Sequence, residues 1–509
     1  MGTTARAGQH HLAIAADRTF ERFGDREALY FEGTWLRSGD LQDRSLRLAG
    51  GLARLGVRPG DRVAVTMPNS PTVGVCYTAL WRAGAAITPV IFILAEPELR
   101  HVLADSGCVA VITSADLLPK MRAAAAGLET VRWIVSDGGG EGVVPLAELE
   151  AEPAIDVVPR ADDDLAALLY TGGTTGRAKG VMLSHGNLWY AGHASHAASY
   201  TPGANRVLLT LPLSHAFGLL VTVIGFHAVE PGVAVLERWF DAQRFVRLVE
   251  ELRVDQAPVV PSMLQMLLTL PLEEHDLTSL RVLSSGASPL PPEVALEIER
   301  RIPGVEVREG YGCTESASII SATRPSRRRL GAVGQAVPGL EVRILDDDGV
   351  QVPTGATGEI CVRSPGVMLG YWRAPEATAA AVVDGWLHTG DIGRLDDDAY
   401  LYVVDRKKDL ILRGGFNVFP RDVEDALAEH PAVAFAGVVG RPDPRVGEEV
   451  VAFVSLRPGA SATAEELVDF GRERLGGYKY AREVRVVDQV PLTPVGKVDR
   501  KRLRAMLAD

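Results

Sequence analysis

A loop rich in glycine and threonine, with one lysine, is the segment best suited to chemistry. Residues 170–181 read YTGGTTGRAKGV. Glycine lets the backbone turn its N–H groups toward an anion, and hydroxyl and ammonium groups add further donors. The donors are Thr171, Gly172, Gly173, Thr174, Thr175, Gly176 and Lys179. A plain surface loop can have a similar composition, so the segment alone predicts only an anion held by backbone amides.

The lysine of this loop separates it from the common phosphate loop of nucleotide-binding proteins. That loop requires Gly-Lys followed by Ser or Thr, whereas Lys179 is followed by Gly180. The segment therefore indicates a polyphosphate cradle of another kind, and its assignment depends on chemistry elsewhere in the chain.

Charge and cysteine content narrow the classes of function. The 509 residues carry a formal net charge of −12, which argues against a nucleic-acid partner because phosphate backbones need a basic surface. The four cysteines are scattered without CxxC or Cys/His spacing, so the sequence indicates neither a disulfide framework nor a zinc site. This cysteine usage, and an N-terminus without a signal-peptide pattern, predict a cytoplasmic protein.

The elements that must position the loop alternate between short apolar strands and amphipathic helices. Strands are predicted at residues 61–67, 109–113, 131–135, 207–211, 255–260, 281–285 and 306–309, and helices at 45–55 and 97–105. Such alternation is typical of α/β domains with mainly parallel sheets covered by helices. The uncharged segment 207–228 is long enough to suggest a membrane span, but its proline and glycines favour a buried strand and helix.

The alternation of strands and helices ends after about residue 330. Short strands at 341–345, 358–363 and 399–404, joined by Gly/Asp turns, predict a smaller antiparallel sheet or barrel. The last hundred residues form a further unit, with strands at 409–412, 417–419, 433–439 and 449–456 and helices at 422–429 and 467–475. A capping box of Thr463 and Glu466 is predicted ahead of the second helix. We predict domains at 1–404 and 410–509, separated by a hinge in the charged run 405–409.

Five further segments accompany the loop. They are PLSHAFG at 212–218, EGYGCTES at 309–316, TGD at 389–391, DRKKDLILRGGFNVFP at 405–420 and PLTPVGKVDRK at 491–501. With the loop, they resemble in order and spacing the motifs of the adenylate-forming superfamily. Its members include acyl- and aryl-CoA synthetases, peptide-synthetase adenylation domains and firefly-type luciferases. The resemblance covers roughly residues 20–505.

The resemblance implies both a fold and a reaction. The implied fold is α/β, with a large N-terminal domain of two α/β sheets plus a small β-barrel, and a small mobile α+β C-terminal domain that closes over it. The implied reaction is the ATP-dependent, AMP-forming activation of a carboxylic acid to an acyl-adenylate, followed by thioester formation with CoA. ATP, Mg²⁺ and CoA are therefore the expected cofactors.

The resemblance also implies residue roles in binding ATP. The loop from Thr171 to Lys179 would hold the β- and γ-phosphates, and Thr314 the α-phosphate. Glu315 and Thr175 would hold Mg²⁺, a hard cation that prefers oxygen ligands. The other expected ATP contacts are Gly310, Tyr311 and Gly312 on one side of adenine, Gly286, Ala287 and Ser288 on the other, and Asp391 and Arg406 at the ribose.

Catalysis and the second half-reaction have their own implied residues. Lys497 resembles the catalytic lysine, whose charge offsets the repulsion between the attacking carboxylate and the α-phosphate. His215 resembles the histidine at the carboxylate site, although a lone histidine in an apolar stretch is more often a core residue. Lys408 falls at the hinge position. The segment resembling the loop that lines the CoA tunnel contains Gly414, Gly415, Phe416 and Asn417.

The acyl pocket is expected from residues 189–193, 215–218, 259–262, 284–287 and 311–317. No arginine stands in these segments to pair a second carboxylate, so we expect a monocarboxylic acid, aliphatic or aromatic. The acyl group could instead be loaded on a carrier protein, or the adenylate passed to another nucleophile. A non-catalytic binding module is disfavoured because Lys497, Glu315 and Asp391 are all present. Monomer and homodimer both remain open.

Overall fold

The computed structural model describes residues 8–171, 177–475, 477–493 and 497–507. The chain divides into two compact units, each described by itself below. The first contains Met1–Glu341 and Val362–Leu387, and the second contains Val342–Cys361 and His388–Asp509.

The helices of the described residues are mostly short and amphipathic. They are α1 (Leu12–Phe23), α2 (Ser38–Leu55), α3 (Pro71–Arg82), α4 (Glu96–Ser106), α5 (Leu118–Ala125), α6 (Leu146–Glu150), α7 (His185–Ser199), α8 (Ala216–Gly225), α9 (Ala242–Leu252), α10 (Pro261–Leu268), α11 (Pro292–Arg301), α12 (Pro375–Ala381), α13 (Pro420–Ala428), α14 (Ala464–Arg474) and α15 (Arg500–Ala505).

The strands range in length from two residues to eleven. They are β1 (Glu27–Phe31), β2 (Thr34–Arg37), β3 (Arg62–Thr66), β4 (Ala86–Pro89), β5 (Ala110–Thr113), β6 (Trp133–Ser136), β7 (Val144–Pro145), β8 (Leu165–Thr171), β9 (Lys179–Ser184), β10 (Arg206–Leu209), β11 (Val233–Leu236), β12 (Gln256–Val259), β13 (Val282–Ser285), β14 (Glu306–Tyr311), β15 (Ser321–Ala322), β16 (Gln335–Ala336), β17 (Glu341–Leu345), β18 (Gly358–Arg363), β19 (Gly370–Tyr371), β20 (Val382–Val383), β21 (Trp386–Leu395), β22 (Leu401–Arg406), β23 (Ile411–Arg413), β24 (Phe416–Val418), β25 (Val433–Asp443), β26 (Gly447–Leu456) and β27 (Glu483–Val486).

Two large sheets form the first unit. One has the order β16-β15-β14-β13-β12-β10-β11-β1-β2, and the other has the order β19-β9-β8-β4-β3-β5-β6-β7. Their central strands pair in parallel, because a helix carries the chain back between consecutive strands. Parallel strands covered on both faces require continuous apolar runs. Accordingly Leu208, Val259, Leu283 and Val307 on neighbouring strands are all fully buried.

The second unit contains two smaller sheets. In one, β18 lies between β17 and β21, and β22 pairs antiparallel with β21. The other has the order β24-β23-β26-β25, with β27 pairing in parallel with β26. Its core includes Val438, Val450 and Leu467, which are fully buried.

Most predicted elements are present within a few residues. The predicted capping box forms at the start of α14, where Thr463 and Glu466 bond each other's backbone N–H groups. Segment 207–228 forms part of β10 and all of α8, and no helix among the described residues is long and apolar enough to cross a membrane. Helix α2 begins at Ser38, whereas the predicted helix began at residue 45. The prediction missed the first turns because they are polar and show no apolar periodicity.

Candidate active site

The strands on either side of the glycine-rich loop are joined by main-chain pairing. Strands β8 and β9 are antiparallel, and Thr171 is the register partner of Lys179. The five residues between them in the predicted cradle lie outside the described residues: Gly172, Gly173, Thr174, Thr175 and Gly176. The structure therefore fixes the two ends of the loop, a threonine and a lysine on facing strands.

Side chains from helix α4 hold the flanks of this loop. The Tyr170 hydroxyl donates a 2.6 Å hydrogen bond to Asp105, and His101 Nε2 lies 2.9 Å from the Ala178 carbonyl oxygen. Burial and the neighbouring carboxylate raise the pKa of Tyr170, so its hydroxyl stays neutral and acts as a donor. The loop thus begins and ends at anchored residues.

A tyrosine that the sequence analysis did not select links the loop to the predicted magnesium ligand. Tyr371 lies on β19, which pairs antiparallel with β9. Its hydroxyl donates a 2.8 Å hydrogen bond to Glu315 Oε1, and the Lys179 ammonium lies 5.0 Å from its ring centroid. Burial and the charge of Glu315 raise the pKa of Tyr371, which keeps the hydroxyl protonated. Tyr371 therefore contacts Lys179 through its ring and Glu315 through its hydroxyl.

Glu315 itself sits in a short 3₁₀ turn, Thr314–Ser316, directly after β14. The Met368 N–H donates to the Glu315 carbonyl oxygen at 2.8 Å, so both the backbone and the side chain of Glu315 are held. No local pattern marks Tyr371 as the partner, since only the pairing of β19 with β9 brings it there.

The two predicted adenine segments meet at the carboxyl ends of neighbouring parallel strands. Strands β13 and β14 pair with Ser285 opposite Glu309, so residues 286–288 follow one strand beside residues 310–312 on the other. A Cβ at Gly286 would lie 3.3 Å from the Gly310 carbonyl oxygen, and one at Gly312 would lie 2.3 Å from the Ser318 carbonyl oxygen. Both approaches are too close for a larger residue without rearrangement.

The other predicted adenine residues occupy the same region. Ala287 has a φ of 70°, an unusual left-handed conformation for a residue with a Cβ. Ser288 follows it and is half-buried. Tyr311 pairs with Ser321 on β15.

His215 caps the helix that carries the predicted carboxylate site. Its Nδ1 accepts a 3.3 Å hydrogen bond from the Phe217 N–H at the start of α8. The Phe217 ring lies 3.3 Å from the position of a Cβ on Gly286. The start of α8 therefore meets the carboxyl end of β13, with an imidazole and a phenyl ring at the junction.

In the second unit, the two predicted ribose residues face each other across a strand pair. Asp391 on β21 is the register partner of Arg406 on β22, and Arg406 Nε lies 3.4 Å from Asp391 Oδ1. The Asp391 side chain is 10% exposed and that of Arg406 is 41% exposed. A half-exposed guanidinium beside a carboxylate can offer both donors and acceptors to a ligand with vicinal hydroxyls.

The charged run of the predicted hinge is held by its two aspartates. Asp405 accepts hydrogen bonds from the N–H groups of Arg406 and Arg421, and buried Asp409 accepts one from Arg504. Burial raises the pKa of Asp405. Lys408 lies between them in a 3₁₀ turn and is exposed.

The backbone of Lys497 is hydrogen-bonded to Thr493 near the end of the chain. The Thr493 N–H donates to the Lys497 carbonyl oxygen at 2.6 Å, and the Lys497 N–H donates to Thr493 Oγ1 at 3.1 Å. Residues 494–496 lie outside the described residues. The backbone of Lys497 is thus fixed by one threonine, and its side chain is half-buried.

The predicted CoA segment forms the turn of the β23–β24 hairpin. Gly414 and Gly415 have φ values of 60° and 82°, as required by a two-residue turn with left-handed residues at both positions. The Phe416 ring stacks on Tyr478 at a centroid distance of 4.8 Å and is 56% exposed. Asn417 follows and is exposed. The hairpin therefore presents an aromatic surface to solvent.

Comparisons with known families match both parts of the chain. A model of AMP-binding enzymes matches residues 16–372, and a model of the AMP-binding enzyme C-terminal domain matches residues 422–497.

Individual relatives match nearly the full length. Feruloyl-CoA synthase from Amycolatopsis sp is 38% identical over 93% of this chain and 94% of its own. Fatty acid–[acyl-carrier-protein] ligase ScoC from Streptomyces coeruleorubidus is 36% identical over 94% of this chain and 92% of its own. The crystal structure of the anthranilate CoA ligase AuaEII with anthranoyl-AMP superposes with a TM-score of 0.92, at 25% identity, covering 100% of this chain and 98% of that one.

Proposed function

The chain belongs to the AMP-binding enzymes and is an AMP-forming acid–CoA ligase, and on this premise we propose how its residues divide the work of two half-reactions. ATP first activates a carboxylic acid as an acyl-adenylate, and CoA then takes the acyl group as a thioester. The observation that carries the proposal is the linkage of Lys179 to Glu315 through Tyr371, beside the carboxyl ends of β13 and β14.

In the first half-reaction, the phosphates of ATP are held by the glycine-rich loop and Lys179. Glu315 and Thr175 would hold the magnesium ion that accompanies ATP. The chemistry of the donors fits, because a carboxylate is a hard oxygen ligand and Glu315 Oε1 is already oriented by the Tyr371 hydroxyl. A bound magnesium ion would neutralise charge on the phosphates. Thr314 donates its hydroxyl to the α-phosphate.

Two groups of residues are assigned to the adenosine, one to the base and one to the ribose. Gly310, Tyr311 and Gly312 contact one side of adenine, and residues 286–288 contact the other. Asp391 accepts hydrogen bonds from the ribose hydroxyls, and Arg406 donates hydrogen bonds to ribose and phosphate oxygens. Support for the ribose pair comes from their direct opposition across β21 and β22.

Lys497 supplies the cation for the chemical step. The attacking carboxylate and the α-phosphate are both anionic, and an ammonium between their oxygens lowers the barrier by offsetting this repulsion. The first expected effect of losing Lys497 is therefore on adenylation, with thioester formation unaffected.

The acid is a monocarboxylic acid, aliphatic or aromatic, that binds beside His215, Phe217 and residues 284–287. The imidazole of His215 supplies a polar group for the carboxylate, and Phe217 supplies an apolar wall. The expected pocket segments contain no arginine, so a second carboxylate would be desolvated without a partner.

The thiol is bound by the hairpin turn at Gly414, Gly415, Phe416 and Asn417. A change of backbone angles at Lys408 exchanges Lys497 for this hairpin between the half-reactions, with residues 1–404 as one domain and 410–509 as the other. The exposed position of Lys408 is compatible with such a change. We place the reaction in the cytoplasm, where the four cysteines stay reduced.

An acid panel tests the proposal. The full chain is incubated with ATP, Mg²⁺, CoA and mono- and dicarboxylic acids, and pyrophosphate, AMP, ADP and acyl-CoA are measured separately. We expect pyrophosphate, AMP and acyl-CoA in equal amounts with at least one monocarboxylic acid. Release of ADP, or turnover only with dicarboxylic acids, contradicts the proposal.

A carrier protein is the second candidate acceptor, because ScoC, whose name specifies an acyl-carrier protein, is 36% identical over nearly the full chain. The two acceptors share a phosphopantetheine thiol. Competition between free CoA and a phosphopantetheinylated carrier protein at equal concentrations distinguishes them. A large preference for the carrier protein would show that it, and not CoA, is the acceptor. The proposed adenylation reaction would be unchanged.

A further inference from the structure

Three metal-binding side chains converge on the small sheet of the second unit, although their spacing in the sequence gives no such indication. Glu359 and Cys361 lie two residues apart on β18, so their side chains project from the same face of the strand. His388 lies on β21, the neighbouring strand. Register between these strands therefore brings a carboxylate, a thiol and an imidazole together.

The distances between the donor atoms match the edges of a metal coordination shell. Cys361 Sγ lies 3.4 Å from His388 Nδ1, and His388 Nδ1 lies 3.4 Å from Glu359 Oε2. All three donors are within 4.8 Å of one another. In a tetrahedral zinc site, bonds of about 2.3 Å to sulfur and about 2.0–2.1 Å to nitrogen and oxygen place the donors roughly 3.3–3.6 Å apart.

We propose that Glu359, Cys361 and His388 bind a divalent transition-metal ion, and that this ion is zinc. Thiolate and imidazole together select zinc and its neighbours in the first transition row and disfavour magnesium or calcium, which prefer all-oxygen shells. Three protein ligands leave the fourth position to water. The site is separate from Glu315, the magnesium ligand proposed for ATP.

Burial and accessibility suit a bound ion. Cys361 is fully buried, while the side chains of Glu359 and His388 are 12% and 26% exposed. An ion can therefore enter from the side of the carboxylate and imidazole and reach a sulfur protected from solvent. The Gly390 N–H donates a 3.1 Å hydrogen bond to Glu359 Oε1, which orients the carboxylate and leaves Oε2 for the ion.

One cation already competes for this carboxylate. The Lys407 ammonium lies 3.4 Å from Glu359 Oε2, but it also lies 2.8 Å from Asp347. A bound ion would displace Lys407 from Glu359 without leaving its charge unpaired, because the closer contact with Asp347 remains. The exchange removes the usual penalty of separating a charge pair.

The test uses the full chain, treated with a chelator and freed of it by dialysis, without ATP. Zn²⁺ alone is titrated by calorimetry, and Co²⁺ is titrated by absorption, because cobalt bound to a thiolate shows a sulfur-to-metal charge-transfer band. We expect one equivalent of each ion and a charge-transfer band with cobalt. Cys361→Ser should abolish that band, and Glu359→Gln and His388→Gln should weaken zinc affinity at least about tenfold.

Cys108→Ser is the matched control, since Cys108 is a buried cysteine that lies outside the donor cluster. This variant should keep the cobalt band and the zinc affinity of the parent chain. A chain without the band, or a band that persists in Cys361→Ser, overturns the proposal. If Cys361→Ser loses its circular dichroism spectrum, unchanged zinc affinity in both Glu359→Gln and His388→Gln overturns it equally.

Discussion

The hydroxyl of Tyr371 donates a 2.8 Å hydrogen bond to Glu315 Oε1, although the two residues are 56 positions apart in the chain. The same ring carries the Lys179 ammonium 5.0 Å from its centroid. Tyr371 therefore positions the two charged groups that we assign to the phosphates and to magnesium. Its hydroxyl and its ring serve different neighbours, so the two contacts can be separated by mutation.

Tyr371→Phe should slow adenylation while leaving the fold intact. The variant keeps the ring contact with Lys179 but removes the hydrogen bond that orients Glu315. A hydrogen bond to a charged group contributes about 1.5–3 kcal/mol, which corresponds to a loss of about tenfold to a hundredfold in kcat/KM. Pyrophosphate release measured against Mg²⁺ concentration should show a higher magnesium requirement.

Tyr200→Phe is the control for this substitution. Tyr200 also donates its hydroxyl to a glutamate, Glu230, at 2.6 Å, but it lies at the end of α7 and is not among the site residues. Equal losses in Tyr371→Phe and Tyr200→Phe would show that the first effect is not specific to the site.

Lys497→Ala should abolish adenylation, by at least about a hundredfold, because it removes the charge that offsets carboxylate–phosphate repulsion. Thioester formation from a supplied acyl-adenylate should remain near the parent rate. Pyrophosphate release measures the first half-reaction and acyl-CoA formation from the adenylate measures the second. Lys501→Ala, at an exposed lysine on α15, is the control, and equal loss of both half-reactions in Lys497→Ala contradicts the exchange at Lys408.

Phe416→Ala should impair the thioester half-reaction and spare adenylation, the reverse of Lys497→Ala. Its ring is exposed and stacks on Tyr478, and loss of one aromatic contact of about 0.5–1.5 kcal/mol predicts a roughly two- to tenfold rise in KM for CoA. Pyrophosphate release without CoA should not change. Leu412→Ala, at an exposed position of the same hairpin, should leave both values near those of the parent.

Gly312→Ala should weaken ATP binding. Its Cβ would lie 2.3 Å from the Ser318 carbonyl oxygen, so the backbone that flanks adenine must shift. Overpacking of this kind costs about 1–3 kcal/mol, and we expect KM for ATP to rise about tenfold or more. Gly139→Ala is the control, because a Cβ at Gly139 meets nothing within 4 Å.

One buried glutamate, Glu237, should contribute a loss of stability as the pH rises from weakly acidic to neutral, opposite in sign to buried His185, whose lowered pKa adds stability as the pH rises. Glu237 follows β11, is 1% exposed, and neither carboxylate oxygen has a hydrogen-bond partner among the described residues. Burial raises the pKa of Glu237 from 4.5 to about 7. The folded state therefore binds the proton more tightly than the unfolded chain, and stability is lost as the pH rises between these two values.

Glu237→Gln should remove this loss. Denaturant unfolding at the two ends of the pH range should show that the stability of the parent chain relative to the variant falls by about 3 kcal/mol, since the raised pKa already includes the opposing charge of Arg244. Glu274→Gln, at an exposed glutamate of the same unit, should behave like the parent. An identical pH dependence in parent and Glu237→Gln would contradict a neutral carboxyl at this position.

Local patterns in the sequence predicted the elements well. Apolar runs predicted the buried parallel strands, because a strand covered on both faces needs apolar residues at every position. The Thr463 capping box was predicted and is confirmed, because it depends on residues only three positions apart. The start of α2 was wrong by seven residues, from the predicted 45 to Ser38, because polar first turns carry no apolar periodicity.

The six motifs predicted the reaction class, because each carries the required donors and charges within a short segment. Contacts between distant side chains were not predictable from such segments and depend on the fold. Tyr371 reaches Glu315 through the pairing of β19 with β9, and His388 reaches Cys361 through the adjacency of β21 and β18. Strand order and register depend on the packing of whole sheets, and no window of neighbouring residues contains that information.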